Sequence, residues 1–141
     1  MAPMNAHYAA LCAAEFEDRR AAARRLVESG KASAARAEAE LRPFAALACR
    51  WGLDVPELRA PIAELQRATF DGDARAARIH LADELCSPAN IRAALIKARD
   101  RALDRAETEP ARLPRATRLA TLAAAFGCAL IDPVRSERKA A

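Results

Sequence analysis

The chain of 141 residues is one domain's worth of sequence, and 52% of it is apolar, but 39 of those apolar residues are alanine and only 27 are Leu, Ile, Val or Phe. So little β-branched and aromatic material excludes most β architectures, and no run approaches the roughly 18 uncharged apolar residues of a membrane span. The 23 basic and 19 acidic residues leave a net charge of +4, far from the strong imbalance of a disordered chain. Alanine, arginine and leucine are strong helix formers, so the expected fold is all-α. It is an irregular bundle of five to seven helices led by a long antiparallel hairpin over 5–52. A single domain is expected over 1–133, with smaller helices over 54–127 and a flexible tail over 134–141.

The first helix reads from Asn5, whose side chain suits an N-cap. Tyr8, Cys12, Phe16, Arg19, Ala23, Leu26 and Val27 follow at three- and four-residue spacing, an apolar stripe broken by Arg19. Gly30 supplies the left-handed position that ends it. Ser33 caps a second helix carrying Ala37, Leu41, Phe44, Ala48 and Trp51, stopped by Gly52. Pro43 lies inside that pattern and predicts a kink near Leu41-Arg42 or a break into two pieces. With so short a connection the two helices pack antiparallel, and positions summing to about 63 face each other.

Asp54-Val55-Pro56-Glu57 reads as a capping signal for a short helix that Pro61 interrupts or restarts, continuing through Ile62, Leu65 and Thr69 or Phe70. Asp71-Gly72-Asp73 is a turn. A fourth segment, from about Ala74 to Cys86, turns Ile79, Ala82, Leu85 and Cys86 inward. Ser87-Pro88 is a serine cap with proline at the first helical position. The helix it opens, about Pro88 to Glu107, carries Ile91, Leu95, Ala98 and Ala102 on one side until Glu109-Pro110. A last helix begins near Pro114 and buries Leu119, Leu122, Ala123 and Phe126 before Gly127. Cys128 to Asp132 are expected to tuck back onto it.

Met1-Ala2-Pro3-Met4-Asn5 shows no basic region followed by an apolar run. A cytoplasmic location is therefore expected, with Cys12, Cys49, Cys86 and Cys128 as reduced, buried thiols and no membrane association. Cys12 and Cys49 fall at the same end of the hairpin, with His7 about one turn from Cys12, but the usual zinc spacings are missing and no metal or other cofactor is expected. His80 stands near Asp83 and Glu84, where a pair at i, i+3 would be an acid/base unit. The chain has two histidines, four glycines, no Gly-x-Ser-x-Gly and no glycine-rich phosphate loop, so nothing completes an active site and no enzyme is expected.

Charge offers two candidate surfaces. On the first helix Arg19-Arg20 and Arg24-Arg25 are answered by Glu15, Glu17, Asp18 and Glu28, and Arg19, Arg20, Arg24 and Trp51 are the candidate residues for a protein interface. On the helix at 88–107, Lys97, Arg101 and Arg105 recur at four-residue steps with Arg92 and Arg99 nearby, a basic stripe that could track phosphates. Asp100 and Asp104 interleave as on an ordinary solvated face, and no aromatic residue stands among these cations to stack on bases.

Arg19-Arg20, Leu26-Val27-Glu28-Ser29-Gly30-Lys31 and Ala37-Glu38-Ala39-Glu40-Leu41 together resemble short helical-hairpin proteins encoded by many temperate phages and prophages of high-GC bacteria. Those proteins share a charged first helix, a Leu-Val-x-x-Gly-Lys/Arg turn and an alanine- and glutamate-rich second helix. The resemblance covers residues 9–51 and departs at Pro43, where that pattern continues as helix. It implies a genomic context and carries over no activity, cofactor or functional residue. The function expected from all of this is non-catalytic: a phage-associated helical protein that binds another protein, such as a host complex, or a second copy of itself. The alternative is a nucleic-acid-binding accessory that uses Arg92, Lys97, Arg99, Arg101 and Arg105.

Overall fold

The structure, a computed structural model, describes residues 2–128. Six α-helices and no strand occur among them: α1 (Ala2–Glu28), α2 (Ala34–Arg50), α3 (Arg59–Ala68), α4 (Ala74–Leu85), α5 (Pro88–Thr108) and α6 (Leu113–Ala125). Single 3-10 turns at Pro56–Leu58 and Pro110–Arg112 lead into α3 and α6. The chain is thus all-α, as its composition dictates. No helix among the described residues is long and apolar enough to cross a membrane. Residues 129–141, which include the expected tuck through 132 and the tail over 134–141, lie outside the described residues.

The chain divides into two compact units, Met1–Ile91 and Arg92–Ala141. The division falls inside α5, where the sequence reads as one continuous domain.

In the first unit the hairpin is set by local chemistry. The Gly30 amide donates to the Val27 carbonyl at 3.1 Å and the Lys31 amide to the Leu26 carbonyl at 2.9 Å, closing α1 with glycine at φ +75°. Three residues after Gly30, Ser33 Oγ accepts from the Arg36 amide at 3.1 Å and opens α2. The other end of α2 repeats the closure, with Gly52 at φ +75° and the Leu53 amide donating to the Ala48 carbonyl at 3.0 Å. The expected start at Asn5 is corrected: α1 begins at Ala2, so Asn5 lies within the helix, and 27 residues make it about 40 Å long.

Pro43 does not break α2, which runs unbroken from Ala34 to Arg50. Proline lacks an amide for the Ala39 carbonyl, but Ala39 is exposed and water can satisfy that oxygen. The helix also has strong reason to continue. Phe44, Ala46, Leu47, Ala48 and Cys49 are all buried, a run too continuous for one face. α2 packs on α1 from one side and on α4 from another, and α3 packs on α4. The second half of α2 is therefore the centre of the unit, holding Cys12 and Phe16 of α1 and Ala77, Leu81 and Ala82 of α4 around it.

The middle differs from expectation in two places. Asp54 caps no helix: its carboxylate accepts from Arg59 Nε at 2.7 Å, and the 3-10 turn follows Val55 without a side-chain cap. Pro61 is the third residue of α3, in the first turn where its missing amide has no intrahelical partner to lose. Asp73 caps α4 by accepting from the Ala76 amide at 3.1 Å, and Ser87 caps α5 by accepting from Asn90 at 3.2 Å. Along α4 the inward residues are Ala77, Leu81 and Ala82, whereas Ile79 is exposed. The alanines at 77 and 82 suit an α4 that packs on both α2 and α3, and the large Ile79 lies on the outer side.

Among the described residues of the second unit, Leu95, Ala116, Leu119, Leu122 and Ala123 are the buried apolar ones. Phe126, expected to be buried, is half-buried; the Arg92 guanidinium lies 6.0 Å from its ring centroid. The Cys128 thiol lies 3.9 Å from the Arg92 carbonyl.

Replacing Pro43 with alanine restores an amide in mid-helix and removes the ring clash. Pro43→Ala should raise the free energy of unfolding by about 1–3 kcal/mol. Urea denaturation followed by circular dichroism checks this, and an unchanged or lower midpoint would contradict an uninterrupted α2.

Candidate functional site

The expected interface residues separate into three environments. Arg19, the charge on the apolar stripe, turns inward: its Nε donates to Glu15 Oε2 at 2.6 Å and its guanidinium lies 3.9 Å from the Phe44 ring centroid. Glu15 is fully buried, so Arg19 supplies a charge partner for a carboxylate held inside the unit. The numbers of Arg19 and Phe44 sum to 63, as the expected register has it, whereas at the far end Tyr8 and Trp51 meet with numbers summing to 59. Trp51 is half-buried at the far end of the hairpin, stacked on Tyr8 with ring centroids 6.2 Å apart. That stacking closes the end of the hairpin.

Arg20 and Arg24 stand elsewhere, on a groove of about 680 Å³ that runs along the turn half of the hairpin. From α1 come Phe16, Ala23 and Val27, from α2 Ala34, Ala37, Leu41 and Ala45, and Val55, Leu58 and Leu85 wall the remaining side. The groove follows from where the large side chains are. Phe16, Phe44 and Leu47 fill the inner half of the hairpin, whereas the turn half faces itself with alanines too small to fill the space between two helices and a neighbouring turn. Charged residues line its rim. Arg20 pairs with Glu57, fastening α1 to the 3-10 turn, and lies 3.9 Å from Glu17. Arg42 pairs with Glu38 at 3.4 Å. Arg24 and Glu28 are exposed and form no ion pair among the described residues. Sequence reasoning found two of these rim residues but not the groove itself. The available signal was the alanine run on both sides of the turn beside a Leu26-Val27 that such a hairpin cannot cover.

The basic stripe on α5 keeps three of its five members in a row. Lys97, Arg101 and Arg105 are exposed one turn apart, and Arg92 is exposed near Phe126. Arg99 is not part of that surface: it is 2% exposed, with its Nε 3.1 Å from Asp100 Oδ1. A four-residue step fixes the face of 97, 101 and 105, and Arg99 lies about 160° away from Arg101 around the helix.

The other candidate chemistry disperses. His80 Nε2 is 2.9 Å from Glu84 Oε1 and its ring packs on Phe70, while Asp83 pairs with Arg50 instead of His80. His7 is exposed and Cys12 buried, and no group of three or more His, Cys, Asp or Glu converges among the described residues. All four cysteines are free thiols. Burial pushes the Cys12 thiol up to about 12, with the nearby Glu15 carboxylate adding to the rise. Burial also raises Cys49, against the opposing effect of Arg78, whose carbonyl accepts from the Cys49 thiol at 3.3 Å. Comparison with family models, with curated proteins and with solved structures finds no match for the chain.

Because the folded Cys12 thiol titrates above its ordinary value of 9.0, its contribution favours folding fully below that pH and is lost as the pH climbs toward about 12. The wild type should therefore lose stability between these values more steeply than Cys12→Ala. Denaturant titrations at a series of alkaline pH values compare the two slopes; equal slopes would show that Cys12 is not desolvated.

Proposed function

We propose that this chain is a non-catalytic, cytoplasmic helical protein of phage or prophage origin that works by binding another protein, for example a host complex it modulates or inhibits. The observation that carries the reading is the groove on the hairpin. Its floor is alanine and larger aliphatic residues and its charges stand on the rim, the arrangement in which one face of a helix is recognised by a hydrophobic trough with polar edges. A small polar substrate would need polar groups converging on the floor, and the floor residues named above are apolar. The resemblance of residues 9–51 to phage-encoded hairpins supports the genomic setting. A photo-reactive amino acid at Leu41, inside the groove, should give protein adducts in host cells several-fold more often than one at the exposed Ile79. Equal yields at the two positions would overturn the groove as the binding surface.

A second reading, nucleic-acid binding, is favoured by the exposed row Lys97, Arg101 and Arg105. Rows of cations bind phosphates with affinity that falls as salt rises, about one released counterion per contact. On this reading an oligonucleotide binds at 50 mM salt or thereabouts, weakens steeply toward about 200 mM, and is lost in Arg101→Glu. Affinity that survives the reversal would reject the stripe as the site.

A further inference from the structure

The rim of the groove carries a charge pattern that fits one occupant. Leu26 and Val27 are 39% and 37% exposed, two of the four large apolar residues so exposed among those described. Arg24 and Glu28 bracket them in sequence. Both line the groove, both are exposed, and neither forms an ion pair among the described residues. The rest of the rim is neutralised within the chain, Arg20 by Glu57 and Glu17, and Arg42 by Glu38. Within α1 the arginine precedes the glutamate by four residues, the less favourable order inside one helix, and here the two do not pair, although Arg36 and Glu40 of α2 do so in the same order at 3.4 Å. Both charges are left open to a partner.

A helix crossing α1 in the opposite direction has to bring an acid to Arg24 and a base to Glu28, four residues apart. The same stretch of a second copy does so by symmetry. With a two-fold axis passing near residue 26, Glu28 of the second copy meets Arg24, and its Arg24 meets Glu28. The small side chains of Ala23, Ala34 and Ala37 permit close approach of the backbones. The exposed Val27 then has the partner's groove to enter.

We infer that the groove is occupied by the last turns of α1 from a second copy of this chain, in an antiparallel two-fold dimer held by reciprocal Arg24–Glu28 pairs. This inference rests on the groove being a protein-binding surface and names the occupant; a foreign protein that reaches the groove has to displace it. The dimer also removes from water the two apolar residues that the isolated hairpin leaves exposed.

Light scattering on the full chain at about 100 µM tests it, a concentration at which dimers with micromolar dissociation constants are saturated. The wild type should show twice its 15.2 kDa mass. Arg24→Glu and Glu28→Arg should each dissociate on the order of tenfold more easily, since each brings like charges together twice. Mixed in equal amounts, these two variants should recover the dimer, because the two carboxylates of one then face the two guanidinium groups of the other. That recovery separates lost pairing from lost folding. A monomeric wild type, or single variants as dimeric as the wild type, would overturn the inference. If a monomeric wild type still gave adducts from Leu41 in host cells, the dimer alone would fall; if both failed, the protein-binding reading would fall with it.

Discussion

The first unit depends on one packing arrangement: the second half of α2, from Phe44 to Cys49, is enclosed by α1 and α4 on different sides. This chain has few large apolar residues with which to build a core, and it gathers many of them here. A fully buried leucine or phenylalanine contributes about 1.5–3 kcal/mol, while alanine buries little more than a methyl group. Stability therefore accumulates around Phe16, Phe44 and Leu47 and thins toward the turn at Gly30. The groove is the other side of the same economy. Where two helices and a neighbouring turn meet through alanine, the backbones reach their closest approach before the space between them is filled.

Charge follows the packing. Glu15 and Arg19 lie at the filled end, and there the ion pair is internal, with the guanidinium against Phe44. Such a pair adds little net stability over an apolar substitute, because desolvation offsets much of the attraction, but removing Arg19 takes a close charge partner from the buried Glu15 carboxylate. At the alanine end the pairs Arg20–Glu57 and Arg42–Glu38 are surface contacts whose strength is modest and falls with salt. Their effect there is geometric: Arg20 ties α1 to the 3-10 turn that forms one wall of the groove.

Much of the local architecture was legible in the residues, because cap chemistry acts over three or four positions. Ser33, Gly30, Gly52, Asp73 and Ser87 each mark a boundary that the backbone observes. The departures arise where a neighbour distant in sequence decides. Pro43 sits in an unbroken helix because the packing around residues 44–49 outweighs a missing hydrogen bond. Asp54 binds Arg59 instead of capping, and Asp83 pairs with Arg50 instead of His80. Arg99 reads as one more surface cation but is buried, and Ile79 reads as core but is exposed, since periodicity gives a face and not what covers it. Arg20 and Arg24 could be picked out as charges, but the groove beside them exists only once two alanine-rich helices are set against each other.

The turn half of the hairpin has room that its own side chains do not fill. Urea denaturation of Ala23→Leu, at a concentration low enough to keep the chain monomeric, tests this most directly. A larger side chain placed on an open apolar floor should raise the midpoint, because it buries methylenes without displacing neighbours. A lowered midpoint, the signature of overpacking, would show that the space is already filled and would remove the physical basis of the groove.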